Sequence, residues 1–193
     1  MQELKERIVK EGKVLPGNII KVDGFLNHRI DTELMDHIAE EFGRHFNMDE
    51  VTMILTAEAS GIALSAIVAQ HFHKPMIFAK KAKSDNIEGG LYQSEIFSYT
   101  YKKKVTLLVA KDWISADDKI LIIDDFMANG EAMRGLCDIV EKSGATLMGI
   151  GCAVEKGFQG GGDRLRAAGV NLKSLAIIEK AEPGDIVFRD DED

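Results

Sequence analysis

The stretch KILIIDDFMANGEA, residues 119–132, decides which fold this chain is expected to adopt. Its four apolar residues, Ile120 to Ile123, lead directly into the aspartates Asp124 and Asp125. A continuous apolar run is typical of a strand that is buried on both faces of a parallel sheet. Open α/β sheets bind their ligands beyond the carboxyl ends of the strands, so the acid pair predicts a binding site there.

The residues after the acid pair add a second binding feature. The segment FMANG connects the strand to a helix that is predicted to begin near Gly130. The first turn of a helix offers free N–H donors and a partial positive charge, which suit a phosphate group. Two carboxylates suit the vicinal hydroxyls of a sugar or the waters around Mg²⁺. The stretch therefore predicts that pyrophosphate, ribose and metal are held within one turn of chain.

Apolar patterns place this strand in an alternation of strands and helices. The predicted strands are 51–57, 75–81, 91–101, 104–114, 119–124, 145–156 and 172–180, of which 91–101 and 104–114 form a hairpin. The predicted helices are a short one around Leu4 and Ile8, then 31–46, 61–72, 130–144 and 161–169. Asp31 is expected to cap the second helix and Gly144 to end the fourth, while residues 14–31 are predicted to be irregular. This order indicates an α/β fold with a central, mainly parallel sheet flanked by helices.

Composition narrows the classes of function. The chain has 193 residues, 45% of them hydrophobic, and a net charge of −8. This length indicates one domain, and the negative charge disfavours nucleic acid as a partner, although KKAKSD and YKKK form a local basic cluster. The sequence has neither the roughly 20 consecutive apolar residues of a membrane span nor the apolar segment of a signal peptide. Cys137 and Cys152 lack a CxxC spacing, so we expect free thiols in a cytoplasmic protein.

Three other functional classes are disfavoured by the sequence: a receiver domain, a dinucleotide-binding domain and a histidine metal site. A phosphoacceptor receiver domain carries its acid pair after the first strand, whereas this pair follows about the fifth predicted strand. A dinucleotide-binding domain requires GxGxxG after a first strand, and the sequence has no such motif there. A metal site built on His71 and His73, or on His37 and His45, lacks a third ligand at a suitable spacing.

The segment ILIIDDFMANGEA resembles the signature of the type I phosphoribosyltransferases, which have four apolar residues, two acids, two variable positions and a small Thr/Gly loop. The loop departs from the common form because ANGEA, residues 128–132, lacks the usual hydroxyls. Backbone N–H groups and Asn129 must then bind the phosphate, and Glu131 must point away from it. Together with IKVDGFLNHRID (20–31) and VEKGFQGGG (154–162), the loop resembles the bacterial xanthine branch of the family. The resemblance extends from about Val14 to Lys180.

The resemblance implies a fold and an activity. It implies the type I fold in one domain, 1–193, with a base-covering hood of about 14–30 plus a C-terminal part. A mobile lid is implied at about 80–105, with Gly89-Gly90 as its hinge. The implied reaction transfers 5-phosphoribosyl from phosphoribosyl pyrophosphate (PRPP) to xanthine through an oxocarbenium-like transition state, giving xanthosine 5′-monophosphate and pyrophosphate. The resemblance also implies a Mg²⁺ ion that is held mainly by PRPP and water. The implied partners are xanthine, PRPP and a second copy of the chain in a homodimer. Neither nucleic acid nor a membrane is expected as a partner.

Two alternatives remain open from the sequence. Guanine or hypoxanthine would satisfy most of the same residues as xanthine. A PRPP-sensing purine regulator of the same fold usually has an N-terminal winged-helix domain of roughly seventy residues. Here 50 residues precede Val51, and some of them resemble the hood.

The resemblance also assigns site residues. Asp124 and Asp125 are the catalytic pair that contacts the ribose hydroxyls. The PRPP-binding residues are Ala59, Ser60, Gly61, Lys81, Ala128, Asn129, Gly130, Glu131 and Ala132, and the purine-binding residues are Ile20, Asn27, Phe126 and Lys156. Lys156 is expected to donate to the 6-oxo group, which disfavours adenine because its 6-amino group would face a donor. Three questions stay open. Ser60 can be an N-cap, an N–H donor or both. Phe126 and Phe158 can each be stacking or core residues, and Lys81 can act in its own or the neighbouring subunit.

Overall fold

The computed structural model describes residues 1–81, 90–98 and 103–190. Within these ranges the helices are α1 (Gln2–Glu11), α2 (Thr32–His45), α3 (Gly61–His71), α4 (Glu131–Ser143) and α5 (Gly161–Ala167). The strands are β1 (Lys13–Leu15), β2 (Ile19–Lys21), β3 (Met53–Ala57), β4 (Met76–Ala79), β5 (Leu91–Ser98), β6 (Lys103–Ala110), β7 (Lys119–Met127), β8 (Thr146–Lys156), β9 (Leu172–Glu182) and β10 (Asp185–Phe188). None of the described helices is both long and apolar enough to cross a membrane.

A six-stranded sheet with the order β10-β9-β8-β7-β3-β4 forms the centre of the fold. Its strands are parallel except β10, which runs antiparallel to β9. The predicted α/β fold with a mainly parallel sheet is therefore confirmed. The prediction that 172–180 is the last strand was wrong, because the chain turns at Gly184 and returns as the short edge strand β10.

The chain order of the strands reverses between β3 and β7. After β3 the chain adds β4 on one side and then returns to add β7, β8 and β9 on the other. The pairing of β7 with β3 runs as far as Ile122, whereas its pairing with β8 continues to Met127. A crevice therefore opens beyond Ile122 at the point of reversal, which is where open α/β sheets bind ligands.

The acid pair lies within β7. We predicted a strand that ended at Asp124, but β7 continues through Asp125 and Phe126 to Met127. The reason is that β8 still supplies hydrogen-bonding partners there, with Phe126 opposite Val154. The connecting loop is therefore shorter than predicted and consists of residues 128–130.

Helices cover both faces of the sheet. Leu121 and Ile123 of β7 lie in the core cluster that includes residues of α1, α2 and α3, and Ile120 and Ile122 lie in the cluster that includes residues of α4 and the β5–β6 hairpin. This division follows from the alternation of side chains along a strand. The helical face predicted for 61–72 was partly wrong, since Ile62, Ile67 and Phe72 are half-buried, whereas the fully buried positions include Leu64 and Val68.

The predicted helix ends are confirmed. The Asp31 carboxylate accepts a hydrogen bond from the Leu34 N–H at 3.2 Å and caps α2. Gly144 ends α4 with a φ of 78°, a conformation that glycine adopts without steric cost. Both cysteines are free thiols, as predicted, and burial raises the pKa of Cys137 to about 11.

Two hairpins stand apart from the central sheet. Residues 14–31 are less irregular than predicted, because β1 and β2 pair as an antiparallel hairpin and Asp23–Asn27 forms a π-helical turn. The predicted hairpin of β5 and β6 is confirmed, and a bridge between Lys80 and Leu108 joins it to the end of β4. The predicted lid of 80–105 and its Gly89 hinge lie partly outside the described residues.

Candidate active site

A cavity of about 370 Å³ occupies the crevice between β3 and β7. Its volume is within the range of small-molecule sites. All of the predicted site residues line it except Ala59 and Gly61. Six parts of the fold line the cavity: the end of β7, the start of α4, the β1–β2 region, the β3–α3 turn, the end of β8 and the β5–β6 hairpin. The cavity therefore brings together residues that are far apart in the sequence.

The two aspartates have different surroundings although both are buried, with 6% of Asp124 and 1% of Asp125 exposed. The Asp125 carboxylate accepts hydrogen bonds from Asn27 Nδ2 at 3.0 Å and from Ser60 Oγ at 2.8 Å. The Asp124 carboxylate accepts one from the Asp125 N–H at 3.0 Å. Burial, followed by the charge of Asp125, raises the pKa of Asp124 well above its usual value. The pair therefore combines two buried carboxylates, of which Asp125 has two side-chain hydrogen-bond donors and Asp124 has one backbone donor.

The turn between β3 and α3 approaches the acid pair closely. A Cβ atom at Gly61 would collide with the Thr56 hydroxyl and with the Asp124 carboxylate, so glycine is required at this position. Ser60 does not cap α3 with its side chain, because its hydroxyl donates to Asp125 instead. Ser60 therefore occupies the N-cap position of α3 without a capping bond from its side chain, and its role as an N–H donor stays a prediction. Ala59 is exposed and follows Glu58 through a cis peptide bond.

The loop of residues 128–130 leads into the N-terminus of α4. Gly130 adopts a φ of 77° there, and no side chain in the described part of the chain caps the helix. The first N–H groups of α4 are thus available to a ligand. The Glu131 carboxylate accepts hydrogen bonds from the Phe97 N–H at 3.3 Å and from Arg134 Nη2 at 3.1 Å. The Arg134 guanidinium, as the main cause, lowers the pKa of Glu131, so this carboxylate is engaged with Arg134 and with β5.

The other end of the cavity is formed by Lys156 and its neighbours. Lys156 Nζ donates to the Asn18 carbonyl at 3.2 Å and lies 5.4 Å from the centre of the Phe126 ring. Burial lowers the pKa of this ammonium group. Ile20 lines the same region, whereas Phe158 packs against the core and is not part of the cavity lining. This end therefore offers an apolar ring and a partly desolvated donor side by side.

Comparisons with known proteins agree with this geometry. Residues 23–168 match the phosphoribosyl transferase domain family. The chain belongs to the phosphoribosyltransferase family. It is 52% identical to the xanthine phosphoribosyltransferase of Bifidobacterium longum (strain NCC 2705), over 98% of this chain and 100% of that protein. It is also 52% identical to the xanthine phosphoribosyltransferase of Lachnoclostridium phytofermentans, over 99% of this chain and 100% of that protein.

Solved structures show the type I phosphoribosyltransferase fold. The adenine phosphoribosyltransferase of Giardia lamblia, complexed with 9-deazaadenine, matches with a TM-score of 0.74 and 19% identity, over 90% of this chain and 96% of that chain. The enzyme of Trypanosoma brucei, in complex with AMP, pyrophosphate and ribose-5-phosphate, matches with a TM-score of 0.71 and 22% identity, over 90% of this chain and 79% of that chain. At these identities the likeness concerns the fold alone.

The cavity of this phosphoribosyltransferase also contains residues that were not predicted individually, three of which lie within the predicted lid of about 80–105. They come from the end of β3, the β5–β6 hairpin and the β7–α4 segment, and they are Ala57, Glu58, Ile96, Phe97, Val105, Met127 and Met133. The alternation of apolar residues in the hairpin was a usable signal for Ile96 and Val105. The exposed Phe97 and the position of Glu58 had no comparable signal, because both depend on how the hairpin and the β3–α3 turn meet the sheet.

Proposed function

We propose that this phosphoribosyltransferase acts in purine salvage and converts PRPP and xanthine to xanthosine 5′-monophosphate and pyrophosphate. The observation that carries the proposal is the arrangement along one cavity. One cavity is lined by the acid pair, by the uncapped N-terminus of α4 and by the partly desolvated Lys156. The names of the relatives at about half identity support xanthine as the purine.

In this proposal the acid pair holds the ribose of PRPP. Asp124 and Asp125 accept hydrogen bonds from the ribose hydroxyls, and their negative charge lies near the cation that develops as pyrophosphate leaves. The free N–H groups of α4 bind the 5′-phosphate. The β3–α3 turn, with Ser60 and Lys81, contacts the pyrophosphate. Lys81 lines the cavity of its own chain, which supports a role within its own subunit.

The purine is proposed to occupy the end of the cavity near Lys156. The ammonium group donates to the 6-oxo group of xanthine, and Phe126 stacks on the ring. Adenine would place an amino group against this donor, and an unpaired buried donor is costly. The β1–β2 region covers the base as the hood, since its Asn18 carbonyl already contacts Lys156 and its Ile20 lines the cavity.

The donor set of the cavity fits a magnesium ion that arrives with PRPP. Among the described residues no cluster of three or more acidic, histidine or cysteine side chains could hold a metal by itself. Mg²⁺ in proteins typically takes one or two carboxylates together with phosphate oxygens and waters. Asp124 and Asp125 would supply that carboxylate share through ribose hydroxyls or water. When bound, the ion neutralises charge on the leaving pyrophosphate.

The lid, the homodimer and the cytoplasmic location are proposed from the family resemblance. For the lid, the structure supplies support in the contacts of the β5–β6 hairpin with the site. Ile96, Phe97 and Val105 line the cavity from this hairpin. A lid at this place would exclude water that hydrolyses PRPP. Sedimentation of the purified chain tests the dimer, which is expected at about twice the mass of 21.3 kDa.

One experiment tests the activity. The purified chain is incubated with PRPP and Mg²⁺ and with xanthine, guanine, hypoxanthine or adenine separately, and pyrophosphate release is followed. We expect xanthine to be the best substrate and adenine to be inactive. A tenfold preference for guanine or hypoxanthine would refute the choice of purine. Loss of PRPP consumption with every base, together with PRPP-dependent retention of DNA, would indicate a regulator instead of an enzyme.

The catalytic role of the acid pair is tested with the Asp124→Asn, Asp125→Asn double variant. We expect turnover to fall below detection while circular dichroism shows an intact fold. An active double variant would refute the role assigned to the pair.

A further inference from the structure

The phosphate-binding loop of residues 128–132 has an unfavourable balance of charge. It offers no hydroxyl and no basic side chain, and Glu131 places a carboxylate at the first position of α4. An acid stabilises the N-terminus of a helix, but there it also repels an incoming phosphate. Arg134 is bonded to Glu131 and to the Glu95 carbonyl, so its donors are directed toward β5. A further cation near the loop would relieve this repulsion.

Arg164 of α5 lies against this loop. Its Nη2 donates to the carbonyl of Asn129 at 3.1 Å, and its Nη1 donates to the Gln159 carbonyl at 3.4 Å. Its charge also reaches Glu131, since it is one of the causes that lower the pKa of that carboxylate. Arg164 therefore contacts the centre of the loop and offsets the charge at its end.

The bond to Asn129 also sets the direction of an N–H donor. The peptide between Asn129 and Gly130 is trans, so its carbonyl and its N–H point in opposite directions. Because the carbonyl faces Arg164, the N–H of Gly130 points away from Arg164, and Gly130 lines the cavity. Without Arg164 this peptide would lose the bond that fixes its plane. Backbone donors are the main phosphate ligands of this loop, so their direction matters for binding.

A rigid support holds Arg164 in place. The backbone of Gly161 touches residues 128–130 so closely that a Cβ atom would collide with the Ala128 carbonyl. Arg166, two residues after Arg164, forms a bidentate pair with the fully buried Glu155, with Nη–Oε distances of 3.1 Å and 2.6 Å. Ser174 of β9 donates to the same carboxylate. The short helix α5 is thus held to β8 and β9 by the Arg166–Glu155 pair, and it packs against the loop through Gly161.

We propose that Arg164 is a positioning residue for the 5′-phosphate of PRPP, which orients the loop through Asn129 and compensates the charge of Glu131. The inference rests on the proposed function and deepens it, because it assigns a basic residue to a phosphate site that otherwise depends on backbone donors. It predicts a specific defect: weaker binding of the 5′-phosphate with little change at the pyrophosphate and purine ends of the cavity.

The test compares Arg164→Ala, Arg164→Gln and Arg164→Lys with a matched control, Arg44→Gln. Arg44 is an exposed arginine on α2 that pairs with Glu41 and does not line the cavity. Calorimetry measures the binding of PRPP, ribose-5-phosphate and pyrophosphate to each variant, and initial rates give KM for PRPP and for xanthine. Thermal unfolding shows whether each variant is folded.

For Arg164→Ala we expect about a tenfold loss in affinity for PRPP and ribose-5-phosphate, the size of one hydrogen bond plus an exposed charge. Pyrophosphate affinity and the KM for xanthine should stay within about twofold of the parent. Arg164→Gln, which keeps a donor but loses the charge, should lie between Arg164→Ala and the parent, and Arg164→Lys should recover part of the affinity. Arg44→Gln should match the parent in every measurement.

The proposal is overturned if ribose-5-phosphate affinity is unchanged in the folded Arg164 variants. It is also overturned if pyrophosphate and xanthine binding weaken as much as phosphate binding, because that pattern indicates a general structural defect. Should Arg164→Ala not fold, the Gln and Lys variants decide by the same criteria. Failure of the proposed function can be told apart from failure of this inference. In the first case the parent protein would transfer ribose-5-phosphate to no purine. The binding measurements would still show whether Arg164 supports phosphate binding.

Discussion

Asp124 and Asp125 are neighbours in β7, yet replacing each by asparagine should change stability in opposite directions. Asp125 accepts hydrogen bonds from the side chains of Asn27 and Ser60. Asp124 accepts a backbone hydrogen bond but is buried beside a like charge, and its pKa is raised mainly by that burial. We therefore expect Asp124→Asn to stabilise the free protein and Asp125→Asn to destabilise it.

The magnitudes follow from these contacts. In Asp125→Asn the amide keeps one oxygen acceptor, but its NH₂ group faces one of the two donors, which costs about 2 to 3 kcal/mol. For a chain of this length 1 kcal/mol changes Tm by roughly 2 to 4 °C, so Tm should fall by about 4 to 12 °C. Asp124→Asn removes a buried charge whose proposed role is in the reaction and which lowers stability. A gain of about 1 to 2 kcal/mol, or roughly 2 to 8 °C, is expected.

The pH dependence of unfolding gives an independent check that Asp124→Asn stabilises the protein. A raised pKa means that folded Asp124 holds its proton more tightly than the unfolded chain does. The contribution of Asp124 to the stability of the parent protein should therefore fall as pH rises from the ordinary aspartate range, near 4, through the raised pKa. The Asp124→Asn variant has no proton to release at this position, so it does not lose this part of its stability as pH rises. Its advantage over the parent should be small near pH 4 and largest near pH 8.

Urea unfolding and thermal scans of the parent and both variants between about pH 4 and 8 test these expectations. Asp49→Asn is a suitable control, since Asp49 is an exposed aspartate in the segment before β3. Activity should be strongly reduced in both acid-pair variants. The reasoning is refuted if Asp124→Asn is less stable than the parent near pH 8, or if its advantage does not change with pH.

Three further changes test other parts of the structure. Gly135→Ala should cost about 1 to 3 kcal/mol in a urea titration and speed hydrogen exchange in the β5–β6 hairpin, because the new Cβ would meet Ile96 at 2.5 Å. Glu155→Ala should cost about 3 kcal/mol by the same measurement, because it removes the buried partner of Arg166. Lys156→Met should raise the KM for xanthine by about 100-fold or more and leave PRPP binding unchanged, as steady-state kinetics and calorimetry would show.

The parts of the fold that sequence predicted are those that depend on local pattern. The apolar run before Asp124 and the helical spacing after Gly130 identified β7 and α4 because both signals are carried by neighbouring residues. Asp31 and Gly144 marked helix ends for the same reason, since a cap acts within one turn. The alternation of such elements was enough to predict a parallel sheet, because parallel strands need crossover connections.

The parts that sequence missed depend on partners far along the chain. The end of β7 could not be placed at Met127 because β8 determines it. Local sequence allows the Ser60 hydroxyl to cap the start of α3. In the structure it donates instead to Asp125, which is 65 residues away and is the stronger acceptor because of its charge. The buried pair of Glu155 and Arg166 was not predicted, because nothing in the sequence indicates that an acid and a base 11 residues apart will pair in the core.

The hydrogen bonds of Asp125 support its proposed role toward ribose, because they orient its carboxylate before PRPP arrives. A carboxylate has about four lone-pair positions on its two oxygens. Ser60 occupies one on Oδ1 and Asn27 occupies one on Oδ2, which leaves capacity on both oxygens for sugar hydroxyls. Both donors are neutral, so they fix the orientation of the carboxylate without cancelling its charge. A lysine or arginine in either place would fix it equally well but would oppose the cation that develops on the ribose, and so the choice of neutral donors favours the reaction.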